Sequence, residues 1–374
     1  MSKKVILPGQ TIGIIGGGQL GRMMALAAKA QGFKIAVLDP TEDCPCAQVA
    51  DYIFTAEYHD LDAIKILAEV SDVITYEFEN IDAGTLKWLA ENAYVPQGSE
   101  LLKMTQNRII EKEGIRRAGV EVAPYAVITS LDDVYGSIRE IGYPAVLKTA
   151  SGGYDGKGQL IIKSEADIAE AKKLIDYSDC VLEKWVPFEK EISVIITRSV
   201  HGETAVFPVG ENIHVDNILH KTIVPARIND EARKLAVEKA EQLAEALELV
   251  GTLAVEMFLT SDNQIYINEL APRPHNSGHY SIEACETSQF EQHIRAICGW
   301  PLGSTALLKP VVMVNLLGEH LEKLLPKIPQ LKNWKIHIYG KKEARPKRKM
   351  GHVTILTENI DAALKEIKES GIWD

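Results

Sequence analysis

Leu253-Ala254-Val255-Glu256-Met257-Phe258-Leu259 and Gln264-Ile265-Tyr266-Ile267-Asn268-Glu269-Leu270 flank the polar triplet Ser261-Asp262-Asn263. Two apolar runs around such a triplet read as a β-hairpin. With Asp262 and Asn263 as the two central turn residues, counting outward residue for residue sets Glu256 opposite Glu269. Like charges directly opposite destabilise a sheet, and Val255, Met257, Leu259, Ile265 and Ile267 imply a largely buried hairpin. A buried carboxylate pair shares a proton or holds a cation. Hard oxygen ligands suit Mg2+, which takes one or two protein carboxylates and completes its shell with substrate phosphates. The competing reading is a solvated pair at a sheet edge. On a regular pleat Asn268 points to the other face, so a role for it beside Glu269 needs a local distortion.

Upstream, Lys148 precedes Gly152-Gly153-Tyr154-Asp155-Gly156-Lys157-Gly158 and Gln159. Four glycines in seven residues, between short strands at 145–149 and 159–163, make a hairpin whose backbone N–H groups can wrap a polyphosphate. Lys148 adds a cation. The spacing is not that of a Walker A loop, G-x-x-x-x-G-K-[ST], and the competing reading is a flexible tip. Glu183-Lys184-Trp185-Val186 ends the next strand. Such an apolar connector can bond an adenine edge through its backbone, and Glu191 shortly after can take ribose hydroxyls; taken alone, such acids are usually only solvated. Directly after Glu269 runs Ala271-Pro272-Arg273-Pro274-His275-Asn276-Ser277-Gly278-His279. Arg, Asn, Ser and two His in nine residues are too polar for a core, so an active-site loop is expected.

At the start of the chain, strands at 11–15, 34–38 and 72–76 alternate with helices at 19–31 and 60–69, the pattern of parallel βαβ units. Gly16, Gly18 and Gly21 fit G-x-G-x-x-G between a strand and a helix, with Asp39 ending the next strand, the context of a dinucleotide site. Two other readings stay open: a tight strand-to-helix turn, or a helix start that binds another phosphate. A middle block begins near Asn107, with a helix at 108–118 charged on one side and a long amphipathic helix at 231–250. A smaller unit starts near Lys309 with strands at 311–316, 335–339 and 352–357 and a closing helix at 360–370. Six of the nine residues 341–349 are basic, which reads as a solvated turn, a nucleic-acid patch or a phosphate grip.

The 374 residues suggest two or three domains. With 25% charged and 46% hydrophobic residues the composition is that of a globular protein, not of a disordered chain, a collagen or a disulfide mini-protein. The net charge of −11 argues against a general nucleic-acid binder. No apolar run reaches the ~20 residues of a membrane span, and the lysines at 3 and 4 precede only a three-residue apolar run, too short for a signal peptide. The five cysteines are expected as free thiols in a reducing cytoplasm, with Cys44-Pro45-Cys46 a turn rather than a metal or redox pair.

Taken together these stretches resemble the ATP-grasp superfamily, and within it the N5-carboxyaminoimidazole ribonucleotide synthetases. The resemblance rests on I-G-I-I-G-G-G-Q-L-G-R-M from Ile12, Y-E-F-E-N from Tyr76, G-G-Y-D-G-K-G-Q from Gly152, N-E-L-A-P-R-P-H-N-S-G-H from Asn268 and Y-G-K-K-E-A-R-P-K-R-K-M-G-H from Tyr339. One departure is Lys157, where many relatives have Arg; the charge is kept and the bidentate geometry is lost. The resemblance implies an α/β fold of three parts: an N-terminal Rossmann-like parallel-sheet domain (1–106), a two-lobed ATP-grasp domain (107–308, with its glycine-flap lobe at about 124–190) and a small C-terminal α+β domain (309–374). It implies a cytoplasmic homodimeric ligase of purine biosynthesis. ATP and bicarbonate would give carboxyphosphate, and 5-aminoimidazole ribonucleotide would take up the carboxyl group, with no nucleic-acid or membrane partner. ATP would lie among Arg108, Lys148, the flap residues Gly153, Tyr154, Asp155, Gly156, Lys157, Gly158 and Gln159, the connector Glu183, Lys184, Trp185 and Val186, and Glu191, His214, Asn268 and Glu269. Glu256 and Glu269 would hold Mg2+. Asp155, Lys157, Arg273 and His275 would serve bicarbonate and the accepting amine. Gly18, Gln19, Leu20, Glu77, Glu79, Tyr154, Asp155, Lys341 and Arg348 would hold the ribonucleotide. The alternatives are another ATP-grasp ligase, such as formate-using glycinamide ribonucleotide transformylase, an NAD oxidoreductase built on the N-terminal glycines, and a nucleotide sensor without turnover.

Overall fold

The computed structural model describes residues 4–153 and 157–373. The N-terminal sheet is parallel, with Tyr52–Thr55, Lys34–Asp39, Thr11–Ile15 and Val73–Tyr76 in that spatial order. Its inner strands are apolar at their centres because helices cover them: Ile12, Ile14, Ile35 and Val37 pack on the side of Gln19–Ala30, and Ile15, Ala36, Leu38 and Ile74 on the side of Leu61–Val70. The strand Tyr52–Thr55, absent from the sequence reading, is a half-exposed edge.

A second, antiparallel sheet orders Tyr125–Ile128, Cys180–Lys184, Ala145–Thr149 and Gln159–Ile162, with the helix Leu131–Ile141 packed on it through Val134 and Ile138. After Ile162 comes a 3-10 stretch, Glu165–Ala171, followed by one α-turn, Lys172–Ile175.

The third sheet has nine strands. Its longest, Phe188–Arg198, lies between Gly251–Thr260 and Gly210–Val215. The sequence reading passed over residues 188–224, where Ile192, Val194 and Ile196 enter one core and Ile195 another. A strand buried on both faces lacks a clean polar alternation. Ile218–Val224 pairs with Val311–Leu317, so the C-terminal strands continue the same sheet without a gap. The helix Asp230–Ala246 covers one face through Ala232, Ala236, Ala240 and Leu243.

Along Gly251–Thr260 the odd residues Leu253, Val255, Met257 and Leu259 enter that core, which turns Glu256 and Phe258 to the opposite face. All five cysteines are free and buried, and Cys44-Pro45-Cys46 lies in turns. Among the described residues no helix is long and apolar enough to cross a membrane.

Candidate active site

The loop after Thr260 is not the two-residue turn centred on Asp262 and Asn263. Thr260 and Gln264 pair across three residues, and Asn263 closes the loop at φ +63°. This moves the near register by one: Leu259 faces Ile265, Phe258 faces Tyr266 and Met257 faces Ile267. An irregularity then inserts Asn268 on the second strand, and Glu256 faces Glu269 as expected. The inserted residue is a β-bulge. Before it Ile265 and Ile267 enter the core; after it Leu270 does. The parity change leaves Asn268 and Glu269, neighbours in sequence, both on the cleft face, and this is the distortion that Asn268 needed.

These side chains open on a cavity of about 580 Å³ between the large sheet, the glycine-rich hairpin and the edge of the N-terminal unit. Lys148 Nζ donates to Asn268 Oδ1 at 3.4 Å and to Glu183 Oε2 at 3.0 Å. The other Glu183 oxygen faces Lys112 Nζ at 3.1 Å. Burial drives the Glu183 carboxyl upward, but Lys148 and Lys112 outweigh it and hold the group down at about 2. Burial lowers the Lys148 pKa despite Glu183. Glu183 therefore acts through its side chain as the anion that aims Lys148.

Arg108 follows the capping residue Asn107, and its backbone N–H bonds the Ala150 carbonyl. Its guanidinium lies 3.4 Å from Glu269. Glu111, one turn on, accepts the Leu270 N–H at 2.8 Å; burial, then Glu269, raises its pKa to about 8. The sequence reading noted only that this helix is charged on one side and missed both Glu111 and Lys112, which are buried. The signal was present: Arg108, Glu111, Lys112 and Ile115 form one stripe at helical spacing.

Glu256 is pushed up to about 7, first by burial and then by Glu269. His275 Nε2 lies 3.6 Å from it. His275 Nδ1 faces the Ser277 N–H at 3.3 Å and Ser277 Oγ at 3.0 Å, which leaves Nε2 directed toward Glu256. Burial and then Arg273 lower its pKa well below normal, so the ring is neutral. Glu191 and His214 form a pair at 2.7 Å, and Glu191 outweighs burial to raise the His214 pKa.

The loop 271–279 departs from expectation. Only Arg273 and His275 are partly open; Asn276, Ser277 and His279 are buried. Asn276 and Asn315 exchange two amide hydrogen bonds, at 2.9 and 2.6 Å. A polar loop tolerates the interior when its groups satisfy one another.

At the N-terminal glycines, Gly18 N–H and Gly21 N–H both bond Glu77, the latter at 2.7 Å, and Gly17 N–H bonds Asp39 at 2.7 Å. The donors that a dinucleotide pyrophosphate would use are taken by the protein's own carboxylates.

This arrangement has relatives. The ATP-grasp domain model matches residues 113–290, the ribonucleotide synthetase preATP-grasp domain model 9–106 and the phosphoribosylaminoimidazole carboxylase C-terminal domain model 311–366. The N5-carboxyaminoimidazole ribonucleotide synthase of Bacillus subtilis is 56% identical over 368 residues, 98% of this chain and 97% of its own. The chain belongs to the N5-carboxyaminoimidazole ribonucleotide synthase family. The crystal structure of an N5-carboxyaminoimidazole ribonucleotide synthetase in its ADP complex is 63% identical, with a TM-score of 0.98 over 100% of this chain and 99% of that one. The Aspergillus clavatus enzyme, in complex with ADP and 5-aminoimidazole ribonucleotide, is 31% identical, with a TM-score of 0.89 over 96% and 97% of the two chains. Family membership makes the chain an ATP-grasp ligase.

The synthase cavity is lined by most of the residues expected around ATP: Arg108, Lys148, Gly153, Lys157, Gly158, Gln159, the connector 183–186, Glu191, His214, Asn268 and Glu269. Gly158 has φ +74°, and its carbonyl bonds Thr149 N–H, which closes the base of the hairpin. Tyr154, Asp155 and Gly156 lie outside the described residues. Glu79, Arg273, His275 and Lys349 also line the cavity, and Arg273 is paired to Glu79 at 3.0 Å. Lys349 is a cleft residue that the sequence reading left within the basic run. Gly18, Gln19, Glu77, Lys341 and Arg348 are not part of this lining. Leu20 is buried in the core beneath the first sheet, so it can offer a ligand only its backbone. Lys341 Nζ donates to the Lys349 carbonyl at 2.8 Å, and its ammonium is close enough to Glu77 to feel its charge. Arg348 is exposed and donates to the Glu343 carbonyl at 3.0 Å.

Proposed function

We propose that this cleft carboxylates 5-aminoimidazole ribonucleotide with ATP and bicarbonate, giving N5-carboxyaminoimidazole ribonucleotide, ADP and phosphate in purine biosynthesis. The observation that carries the reading is Glu256 opposite Glu269 in one cavity with Lys148 and His275. The pair fits a divalent cation: an ionisation that burial and a like charge make unfavourable becomes favourable beside Mg2+. Among the described residues no three His, Cys, Asp or Glu side chains converge on one point, so phosphate oxygens and water would complete the shell. Mg2+ held by Glu256 and Glu269 would neutralise charge on the transferred phosphoryl group.

The adenine lies along the connector. The N–H groups of Lys184 and Trp185 are bonded to the carbonyls of Pro124 and Pro144, so Val186 offers the donor to the base edge. Phe258, stacked on Phe188 at 4.7 Å, lines the apolar side of the cavity. Glu191, steadied by His214, takes the ribose hydroxyls. Lys148, aimed by Glu183, takes phosphate oxygens, with Arg108 beside Glu269. Phosphoryl transfer to bicarbonate then needs alignment and charge neutralisation more than covalent help.

Carboxyphosphate forms next to His275, whose Nε2–H donates a hydrogen bond to a carboxyl or phosphoryl oxygen. Arg273 and Lys157 line the same cavity, the family resemblance assigns Asp155, outside the described residues, to the same step, and the hairpin excludes water that would hydrolyse the intermediate. The ribonucleotide enters from the N-terminal side, by Gly18, Gln19, Leu20, Glu77 and Glu79, with Lys341 and Arg348 on its 5′-phosphate; Tyr154, outside the described residues, is assigned to it by the family resemblance alone. Its amine takes up the carboxyl carbon as the phosphate leaves. Bicarbonate as the donor, a homodimeric state and a cytoplasmic setting are carried over from the family resemblance. The test is ADP release from ATP in the presence and absence of bicarbonate, Mg2+ and ribonucleotide. Full release requires all three, and ribonucleotide-stimulated release without bicarbonate overturns the reading.

A further inference from the structure

The helix Gln289–Ile297 opens with a residue that no sequence motif singled out. Gln289 is fully buried. Its Oε1 accepts the His275 N–H at 2.9 Å and its Nε2 donates to the His275 carbonyl at 2.7 Å. The second Nε2 hydrogen is directed at His279 Nδ1, 3.2 Å away. The side-chain amide thus grips both sides of one residue's backbone, as a neighbouring strand would, and the pattern admits only one orientation of the amide. The grip is anchored in turn. Gln289 N–H donates to Ser281 Oγ at 2.9 Å, and Ser281 Oγ donates to the Gly278 carbonyl at 2.6 Å. A Cβ at Gly278 would stand 2.5 Å from Gln289 Oε1, so the 3-10 turn Asn276–Gly278 closes directly on the amide. The same helix holds the strand of Glu256: His293 Nδ1 accepts the Thr252 N–H at 3.1 Å. One buried helix therefore sets both the carboxylate strand and the loop that presents His275.

We propose that Gln289 is a positioning residue for the reaction and acts through His275, fixing the loop backbone from which the imidazole projects toward Glu256. This rests on the reading that His275 touches the reacting groups. A loop residue two prolines from the strand end is free to shift by a fraction of its own length, and displacement of a reacting contact by ~1 Å costs on the order of a hundredfold in rate. Gln289→Met keeps the volume and removes both bonds. Gln289→Glu keeps the acceptor and sets an oxygen against the His275 carbonyl.

The experiment is a double-mutant cycle on the full chain with His275→Ala, using steady-state ADP release and calorimetric ATP binding. Gln289→Met and Gln289→Glu should each lower kcat about ten- to a hundredfold, with the KM and Kd for ATP within about twofold of the parent. In the His275→Ala background the same changes should cost less than about twofold more. An equal loss in both backgrounds shows a merely structural role and overturns the inference. Parental kcat in both Gln289 variants, with His275→Ala impaired, overturns it as well. Parental kcat in His275→Ala removes the reading of His275 and this inference with it. If Gln289→Met does not bind ATP, Gln289→Glu carries the comparison; failure of both to bind ATP overturns a role confined to positioning.

Discussion

Glu256 stands opposite Glu269 because Asn268 is inserted between Ile267 and Glu269 without a partner on the facing strand. The bulge sets two consecutive polar side chains on one face, where Asn268 meets Lys148 and Glu269 meets Arg108. A regular pleat would have turned one of the two into the core. The two facing carboxylates and Lys148 are thus joined by a single defect in a hairpin.

Removing either carboxylate should separate chemistry from folding. Glu256→Gln or Glu269→Gln is expected to lower Mg2+-dependent ADP release at least a hundredfold, while metal-free melts stay unchanged or rise. The pH dependence follows from Glu256, raised from 4.5 to about 7. Below about 4.5 folded and unfolded chains both carry the proton. Between 4.5 and about 7 the unfolded chain ionises first, so the metal-free fold loses stability as pH rises through that window. Thermal melts from pH 5 to 8 should show this loss in the parent, its reduction in Glu256→Gln and its reversal by Mg-ATP.

Lys112 should matter to ATP without touching it. Lys112→Met leaves Glu183 paired to Lys148 alone and removes a charge-assisted contact worth ~1.5–3 kcal/mol. The KM for ATP should rise about tenfold, with the KM for the ribonucleotide little changed. Glu183→Gln strands the buried Lys112 and should destabilise the fold by about 3–5 kcal/mol, read by urea melts. An unaltered ATP KM in Lys112→Met would detach Lys112 from the site.

NAD and NADP should give no heat of specific binding, because Glu77 and Asp39 already occupy Gly17, Gly18 and Gly21. Glu77→Ala should cost about 1–3 kcal/mol of stability by orphaning two N–H groups. It should also raise the ribonucleotide KM, measured by varying that substrate at saturating ATP.

The ribonucleotide KM is expected to show a basic limb set by Lys341. Burial, then Arg348, lowers its pKa to about 8, so it is charged below that pH and neutral above. The KM for the ribonucleotide should climb as pH passes 8, the KM for ATP should not, and Lys341→Arg should flatten the rise. Arg348→Ala should raise the ribonucleotide KM roughly tenfold or more at neutral pH, the loss of one phosphate contact of ~1.5–3 kcal/mol.

What could be read from the chain was local. The parallel units of the first hundred residues, the glycine hairpin and the facing of Glu256 and Glu269 follow from period, turn chemistry and spacing. That pairing was reached through a turn one residue too short, offset by a bulge that no periodicity reveals. Phe188–Arg198 escaped because it is buried on both faces, and Lys112, Glu111 and Gln289 escaped because polar residues on a helix read as solvated.

By itself the sequence determined the family, the chemistry of the side chains available and the order of strands and helices, since these depend on residue types and short spacings. Only the tertiary structure decided which charges are neutralised and which are left for a ligand. Glu183 is saturated by Lys112 and Lys148 and Glu77 by the N–H groups of Gly18 and Gly21, while Arg273 is paired to Glu79. Glu256 and Glu269 remain facing one another. The neutralising partners of Glu183, Glu77 and Arg273 lie from 35 to 194 residues away, and a charge in low dielectric is governed by what lies within a few ångströms of it rather than by its neighbours along the chain.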